Sequence, residues 1–372
     1  MLNHTKRLAG TAVASASLLL AAACGGGAAA PADIDLGSGP AKSGVVKKDA
    51  LKGVNMTFVS YGGVYQKGQQ DAAIDPFAKE SGAQVLQDGP TDYAKIKAQV
   101  DSANVTWDVV DTDSIWAAAQ CGKLLQPLDY KIIDKTKVPE GLATECSVPA
   151  MQYGMVLAYN KDKFGANPPQ GWADFFDTAK FPGKRGIPGN PGDSAPGPFE
   201  AALVADGVAP DKLYPLDVPR ATKKLDAVRA NLVFWKTGAE SQQLLESGEV
   251  DMLMMWSGRA YAGIKNGGKF DVQWNQWMPI MDSLTVPKNA KNPKAAMAMI
   301  NYYLGAQQQA KLTELTSYSP INTDAKPKLD ELGTSFLTTR PEVADKRLTV
   351  DDKWWAENQP EMIEKWSAWL GG

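Results

Sequence analysis

From Val54 onward, strand-type and helix-type segments alternate, and this rhythm constrains the fold more than any other feature of the chain. Val54-Asn55-Met56-Thr57-Phe58-Val59 reads as a strand, Gly62-Gly63 as a tight turn, and residues 64–80 as a helix interrupted or kinked at Pro76. Short strands over 83–86 and 107–110 bracket a helix over 93–100, and another helix follows over 114–119. Further on, residues 219–232 place Leu225, Val228 and Leu232 on one helical face. Residues 239–247 form a helix closed by Gly248, and 250–256 read as a fully buried strand. Asn292-Pro293 opens a helix in which Met297, Ile300 and Leu304 recur at helical spacing. The expected fold class is therefore α/β, with a parallel sheet covered by helices on both faces. Residues 181–199, dense in Pro and Gly, read as a structured loop between the two halves. In the tail, Met362, Trp366 and Trp369 share one face of a helix that docks by its aromatic side.

The N-terminus stands apart from this fold. Lys6 and Arg7 precede an apolar run from Ala9 to Ala23, and Cys24 follows directly. This is the layout of a bacterial secretory leader ending at an acylatable cysteine, and the run is too short for a stable membrane span. Residues 1–23 are thus expected to be a lipoprotein signal peptide with Cys24 as the lipidation site. Residues 24–50, mostly Gly, Ala, Pro, Ser and Lys as far as Lys48, are expected to be a flexible tether. A coil of about 25 residues has an r.m.s. span of roughly 25–30 Å. Leu20 sits one place further from Cys24 than in a typical lipobox, so an ordinary signal peptide cut near Ala23 is the alternative.

Cleavage before Cys24 removes His4, the only histidine. Without imidazole there is no Ser-His-Asp or Cys-His nucleophile, no histidine general base and no histidine-containing zinc site. A net charge of −3 argues against nucleic acid as a partner. No Walker A or G-x-G-x-x-G pattern occurs, and Gly192-Asp193-Ser194-Ala195-Pro196 misses the nucleophile elbow at its last position. A binding protein with no cofactor and no metal is favoured over an enzyme. Cys121 and Cys146 are the remaining cysteines. In an oxidising compartment they are expected to close a disulfide worth roughly 3–3.5 kcal/mol, two free buried thiols being the alternative.

Several motifs in order carry a family resemblance. They are Ser60-Tyr61-Gly62-Gly63-Val64-Tyr65, Trp107-Asp108-Val109-Val110-Asp111-Thr112-Asp113 and Leu124-Leu125-Gln126-Pro127-Leu128-Asp129. Downstream come Ser247-Gly248-Glu249-Val250-Asp251 leading into Met255-Trp256-Ser257-Gly258, then residues 281–292 beginning Met281-Asp282-Ser283, and Tyr318-Ser319-Pro320-Ile321-Asn322. The chain resembles the extracellular solute-binding proteins of ABC importers, in the spermidine/putrescine-binding group. The resemblance implies a type II periplasmic-binding-protein fold, with two α/β lobes, a hinge and an interlobe ligand cleft. Lobe 1 would comprise 51–157 plus 282–322, and lobe 2 158–281 plus 323–372, with crossings near 156–159, near 281–286 and after Asn322. A monomer is expected, and the leader ending at Cys24 implies a lipid anchor at the cell membrane, facing the periplasm or the outside. Such a protein captures a small-molecule amine and delivers it to the transmembrane subunits of an ABC permease.

By resemblance Tyr65, Trp256, Asp282 and Tyr318 fall on ligand-lining positions, and Tyr61 lies in the first ligand loop. A polyamine needs carboxylates for its ammonium groups and aromatic faces for its methylenes, and these residues offer both. Asp111 and Asp113 flank the second loop, where they either add negative potential or, for Asp113, cap the helix beginning at Ser114. Asp193 and Ser194 occupy a loop that retains one carboxylate where the polyamine group shows two. Gly62 and Ile280 stand where that group often has aromatics, and these losses favour a smaller solute. Arg259, three residues after Trp256, either faces the cleft to pair with a solute carboxylate or points to solvent. With Asp282 for an amine, a cleft-facing Arg259 suits γ-aminobutyrate or another zwitterionic amino acid. Two other classes compete: an exported carboxylate-only enzyme using Asp111 and Asp113, and an iron binder using Tyr61 and Tyr65.

Overall fold

The computed structural model describes residues 34–193 and 196–372. The leader, Cys24 and the first part of the expected tether lie outside the described residues. The described residues form one eight-stranded mixed sheet: β1 (Asn55–Val59), β2 (Gln84–Asp88), β3 (Val109–Asp113), β4 (Ser147–Asn160), β5 (Arg185–Pro188), β6 (Leu232–Trp235), β7 (Met252–Trp256) and β8 (Phe270–Thr285). Their spatial order is β2-β1-β3-β8-β4-β7-β5-β6. Parallel pairs β1/β2, β1/β3 and β5/β6, β5/β7 make up the two flanks, as the strand–helix alternation requires.

Two long antiparallel strands join the flanks. β3 pairs with the end of β8, Val110 opposite Thr285 through Asp113 opposite Asp282, while β7 pairs with the end of β4, Met155 opposite Trp256 through Tyr159 opposite Met252. Between these contacts β4 and β8 hold each other across Met151–Gly154 and Pro279–Asp282, flanked by register shifts at Pro149/Met151 and Met155/Leu157. Residues 155–159 thus pair with β7 and 282–285 with β3. The 14- and 16-residue lengths of the two strands carry them through both halves. Gln152 also exchanges backbone hydrogen bonds with Ser319 (3.0 and 2.9 Å), a third connection beside the crossing.

Local readings depart from the structure in three places. The helix over 219–232 ends early: Val218–Asp226 is helical, Arg229–Asn231 is a 3-10 turn, and Leu232 opens β6 opposite Arg185. The run Leu-Val-Phe-Trp suits an extended strand, and pairing with β5 overrides the helical spacing. β5 itself lies within the Pro/Gly-rich loop. In the first helix the irregularity precedes Pro76: Gly63–Gln69 passes through a π-helical turn at Gln70–Ile74 into Asp75–Ser81. Pro76 has no N–H to offer the preceding turn, which widens instead of breaking.

The tether is also shorter than expected at its far end. Asn301 Nδ2 donates to the carbonyls of Lys42 (2.9 Å) and Val45 (3.1 Å), and Ser43 N donates to Asp134 Oδ2 (3.1 Å). Val46 and Leu51 are buried. From Lys42 onward the chain is thus part of the folded body, because these backbone groups and apolar side chains find partners there. The Cys121–Cys146 disulfide forms, with a Cα–Cα distance of 5.4 Å, and ties the end of helix Ser114–Gln120 to the start of β4. The C-terminal helix Asp352–Gly371 docks through Trp355, Met362 and Trp366, with Trp369 stacked on Trp366 at 4.7 Å. Trp355 Nε1 donates to the buried Glu200 Oε1 (2.8 Å).

Candidate functional site

Strand ends and the crossing bring the expected residues together. After β1 the chain turns at Gly62 and Gly63 with φ of 73° and 61°, a region that glycine enters without strain. Gly62, which stands where the polyamine group often has an aromatic, serves this turn. The turn aims Tyr61 and Tyr65 toward the end of β3. Tyr65 Oη donates to Asp111 Oδ2 (2.7 Å), which also accepts from Gln69 Nε2 (2.5 Å) and Ser60 Oγ (3.3 Å). Tyr61 Oη shares a hydrogen bond with Tyr93 Oη (2.7 Å), which accepts from Asp113 N (3.1 Å). Asp113 Oδ1 accepts from Trp116 N (2.9 Å), so its side chain caps helix Ser114–Gln120.

Asp282, on β8 at the crossing, is 5 % exposed and accepts from Tyr153 Oη (3.3 Å). The Tyr318 ring centroid lies 5.3 Å from that of Tyr65 and 5.2 Å from that of Tyr153, giving a three-tyrosine wall contributed by the first helix, β4 and the third connection. A Cβ at Gly258 would come within 2.0 Å of Tyr318 Cε1, so this glycine lets the ring lie directly on helix Ser257–Lys265. Trp256, half-buried at the end of β7, packs edge-on to Trp235 at 5.2 Å.

Arg259 reaches into the same space. A Cβ at Gly63, on the β1 side, would lie 4.0 Å from Arg259 Nη2, and one at Gly238 would lie 2.7 Å from Arg259 Nε and 2.8 Å from the Trp256 ring. The guanidinium therefore reaches from the β7 flank toward the first helix of the other flank, and the residue is half-buried. Its Nε is buried without a hydrogen-bond partner, and among the described residues it forms no ion pair. Tyr318 registers the combined field: burial pushes its hydroxyl up to about 12, Arg259 pulls it down, and Asp282 and Asp111 push it up. Burial raises the Tyr61 and Tyr65 hydroxyls well above the usual tyrosine value, and neighbouring carboxylates add to this. Asp111, fully buried beneath Tyr65, is poorly placed to act on a substrate with Asp113. Of Asp193 only the backbone is described, as the last residue of the turn Pro191–Asp193, and Ser194 lies outside the described residues.

Residues 72–359 match the model of the bacterial extracellular solute-binding protein family. The chain belongs to that family. It is 32 % identical to the gamma-aminobutyric acid-binding protein of Pseudomonas aeruginosa over 85 % of this chain and 90 % of that one. It is 25 % identical to the spermidine/putrescine-binding periplasmic protein of Escherichia coli over 75 % and 79 % respectively. Among solved structures, that of the Atu4243-GABA receptor shares 43 % identity with a TM-score of 0.78, covering 85 % of this chain and 97 % of that one. The fold is thus the type II two-lobed one, and this solute-binding protein is the substrate-binding component of an ABC importer.

In the solute-binding protein the tyrosine wall and Asp282 gather at the β4/β8 crossing, and Arg259 reaches toward them from the β7 flank. Sequence reasoning missed Tyr93, Tyr153, Tyr303 and Gln69. Tyr153 alone carried a usable signal, since it lies two residues before Met155 on a strand running through the crossing. Gln69 and Tyr303 are linked by a hydrogen bond (3.0 Å) between segments far apart in the chain. Among the described residues, no helix is long and apolar enough to cross a membrane and no cluster of three His, Cys, Asp or Glu could hold a metal.

Proposed function

We propose that this solute-binding protein captures a small zwitterionic amine of the γ-aminobutyrate type, with Asp282 receiving the ammonium and Arg259 the carboxylate. The observation that carries the reading is Arg259: a guanidinium reaching between the flanks toward the tyrosine wall, where it and Asp282 both act on Tyr318, with no carboxylate paired to it among the described residues. A half-buried guanidinium whose Nε lacks a partner can be satisfied by a bidentate solute carboxylate. Tyr65, Tyr153 and Tyr318 then enclose the methylenes and face the ammonium. Trp256, Tyr61, Asp193 and Ser194 complete the proposed ligand set. The 32 % identity to a protein named for γ-aminobutyrate supports the same choice.

A second reading, a polyamine such as putrescine, draws on Asp282 for an ammonium and on the negative potential that buried carboxylates add around the same tyrosines. In either case the lobes, dividing near 51–157 plus 282–322 and 158–281 plus 323–372, close by bending at the β4/β8 crossing. The closed form is what the permease receives. We further propose a monomer anchored through lipid on Cys24. The role requires no catalysis.

A thermal-shift screen of the mature chain against γ-aminobutyrate, putrescine, spermidine, common amino acids and sugars tests the reading. Ligand at a hundred times its Kd contributes about 2.7 kcal/mol, which is visible as a raised Tm. γ-Aminobutyrate or a related zwitterion should give the largest shift; a response to sugars alone would overturn the amine reading.

A further inference from the structure

Beneath Tyr65 lies a fully buried polar cluster that ligand capture does not by itself require. Asp111 and Gln69 are both 0 % exposed. Asp111 Oδ2 accepts three hydrogen bonds, from Tyr65, Gln69 and Ser60, whereas Asp111 Oδ1 and Gln69 Oε1 are buried with no partner. Two acceptors left bare within one buried cluster mark a missing donor, because an unsatisfied buried acceptor costs the full desolvation of that group. No cation pairs with Asp111 among the described residues. A proton on the carboxyl supplies the donor and removes the buried charge in one step.

We propose that Asp111 is held as a neutral acid whose proton bonds the Gln69 amide oxygen, and that it is a positioning residue setting the site's preference for one ammonium over two. Neutral Asp111 fixes the Tyr65 hydroxyl, and through it the Tyr65–Tyr318 edge contact, without adding a full negative charge beside Asp282. Ionised Asp111 would add that charge and favour a dication. Burial acts in the same sense, pushing the Asp111 carboxyl up to about 7. The groups facing it are Tyr65 from the first helix, Tyr303 from helix Pro293–Tyr303, Tyr61, Tyr318, Asp113 on its own strand, Asp282 on β8, and Arg259 from the other flank. Burial raises the four tyrosines above their ordinary value, which keeps them neutral in the window where Asp111 titrates.

The inference rests on the amine reading and is tested so that the two fail separately. Dissociation constants for γ-aminobutyrate and putrescine are measured by calorimetry between pH 5.5 and 8.5 in the wild type and in Asp111→Asn, which mimics the neutral acid. In the wild type the affinity ratio should move toward putrescine by about tenfold or more as pH rises. In Asp111→Asn the ratio should stay flat, with γ-aminobutyrate affinity within about threefold of the wild type at pH 6. A flat wild-type ratio, or a loss of more than tenfold in the variant at pH 6, would overturn the proposal. If neither amine binds, the amine reading falls. The state of Asp111 is then read from Tm without ligand, where Asp111→Asn should gain on the wild type between pH 4 and 7. If Asp111→Asn does not fold, the pH dependence of the wild-type ratio decides alone.

Discussion

Adding one methyl group at Gly258 should disable capture while leaving the protein folded. The Cβ of Gly258→Ala would lie 2.0 Å from Cε1, 2.6 Å from Cζ and 2.8 Å from Oη of Tyr318. Ordinary carbon contacts begin near 3.5 Å, so the ring must retreat by about 1.5 Å. That movement disturbs its packing against Tyr65 and Tyr153, now 5.3 and 5.2 Å distant. Overpacking of this kind costs about 1–3 kcal/mol, and replacing a helical glycine by alanine returns about 0.5–1 kcal/mol, so the net loss is on the order of 1–2 kcal/mol. Displacing one aromatic contact from the solute costs about 1.4 kcal/mol or more, which is tenfold in Kd. Calorimetric titration with γ-aminobutyrate beside thermal unfolding without it separates the two terms. The expected result is affinity at least tenfold weaker with a Tm lowered by a few degrees. Adding Tyr318→Leu should restore Tm but not affinity. A Gly258→Ala protein that binds within twofold of the wild type would refute the claim that Tyr318 is a ligand wall pinned by this glycine.

Other consequences are as direct. Asp282→Asn should abolish the Tm response to every amine, since the charge opposite the ammonium is gone; an unchanged response would remove Asp282 from the site. Breaking the disulfide by Cys121→Ser with Cys146→Ser should cost about 3.5 kcal/mol for a 25-residue loop, read as a lower denaturant midpoint, and a change below 1 kcal/mol would contradict that loop-entropy origin. Asp111 also governs stability against pH. Its folded value of about 7 lies above the ordinary 3.8, so the unfolded chain releases its proton first. Stability should then fall as pH rises from about 4 to 7, by up to about 4 kcal/mol, and level off above. Asp111→Asn should remove that slope, and an identical slope in the variant would contradict it.

The fold was legible from the sequence where short-range signals agree with tertiary needs. The glycine pair at 62–63, the Gly248 stop and the Asn292-Pro293 start each name a backbone conformation or missing donor that few other residues supply. β5 and β6 were hidden because four-residue strands in a Pro/Gly-rich loop and at a helix exit take their identity from each other. The site divides in the same way. Tyr61, Tyr65, Asp282, Tyr318 and Arg259 sit in motifs at strand ends, where an α/β sheet leaves its crevice. Tyr303 and Gln69 come from helices whose spacing reads as plain core, and only packing reveals that they share a buried network. Asp113 shows the converse: its chemistry allowed both ligand and cap, and the cap is visible in its bond from Trp116 N.

The central claim is that Arg259 holds a solute carboxylate while Asp282 holds its ammonium. Calorimetric titration of Arg259→Ala with γ-aminobutyrate and, in parallel, with putrescine tests it most directly. The account predicts a loss of γ-aminobutyrate affinity of about a hundredfold, with putrescine affinity unchanged or improved, because only the zwitterion carries the group that Arg259 pairs with. Equal affinity for γ-aminobutyrate in the wild type and the variant would contradict it.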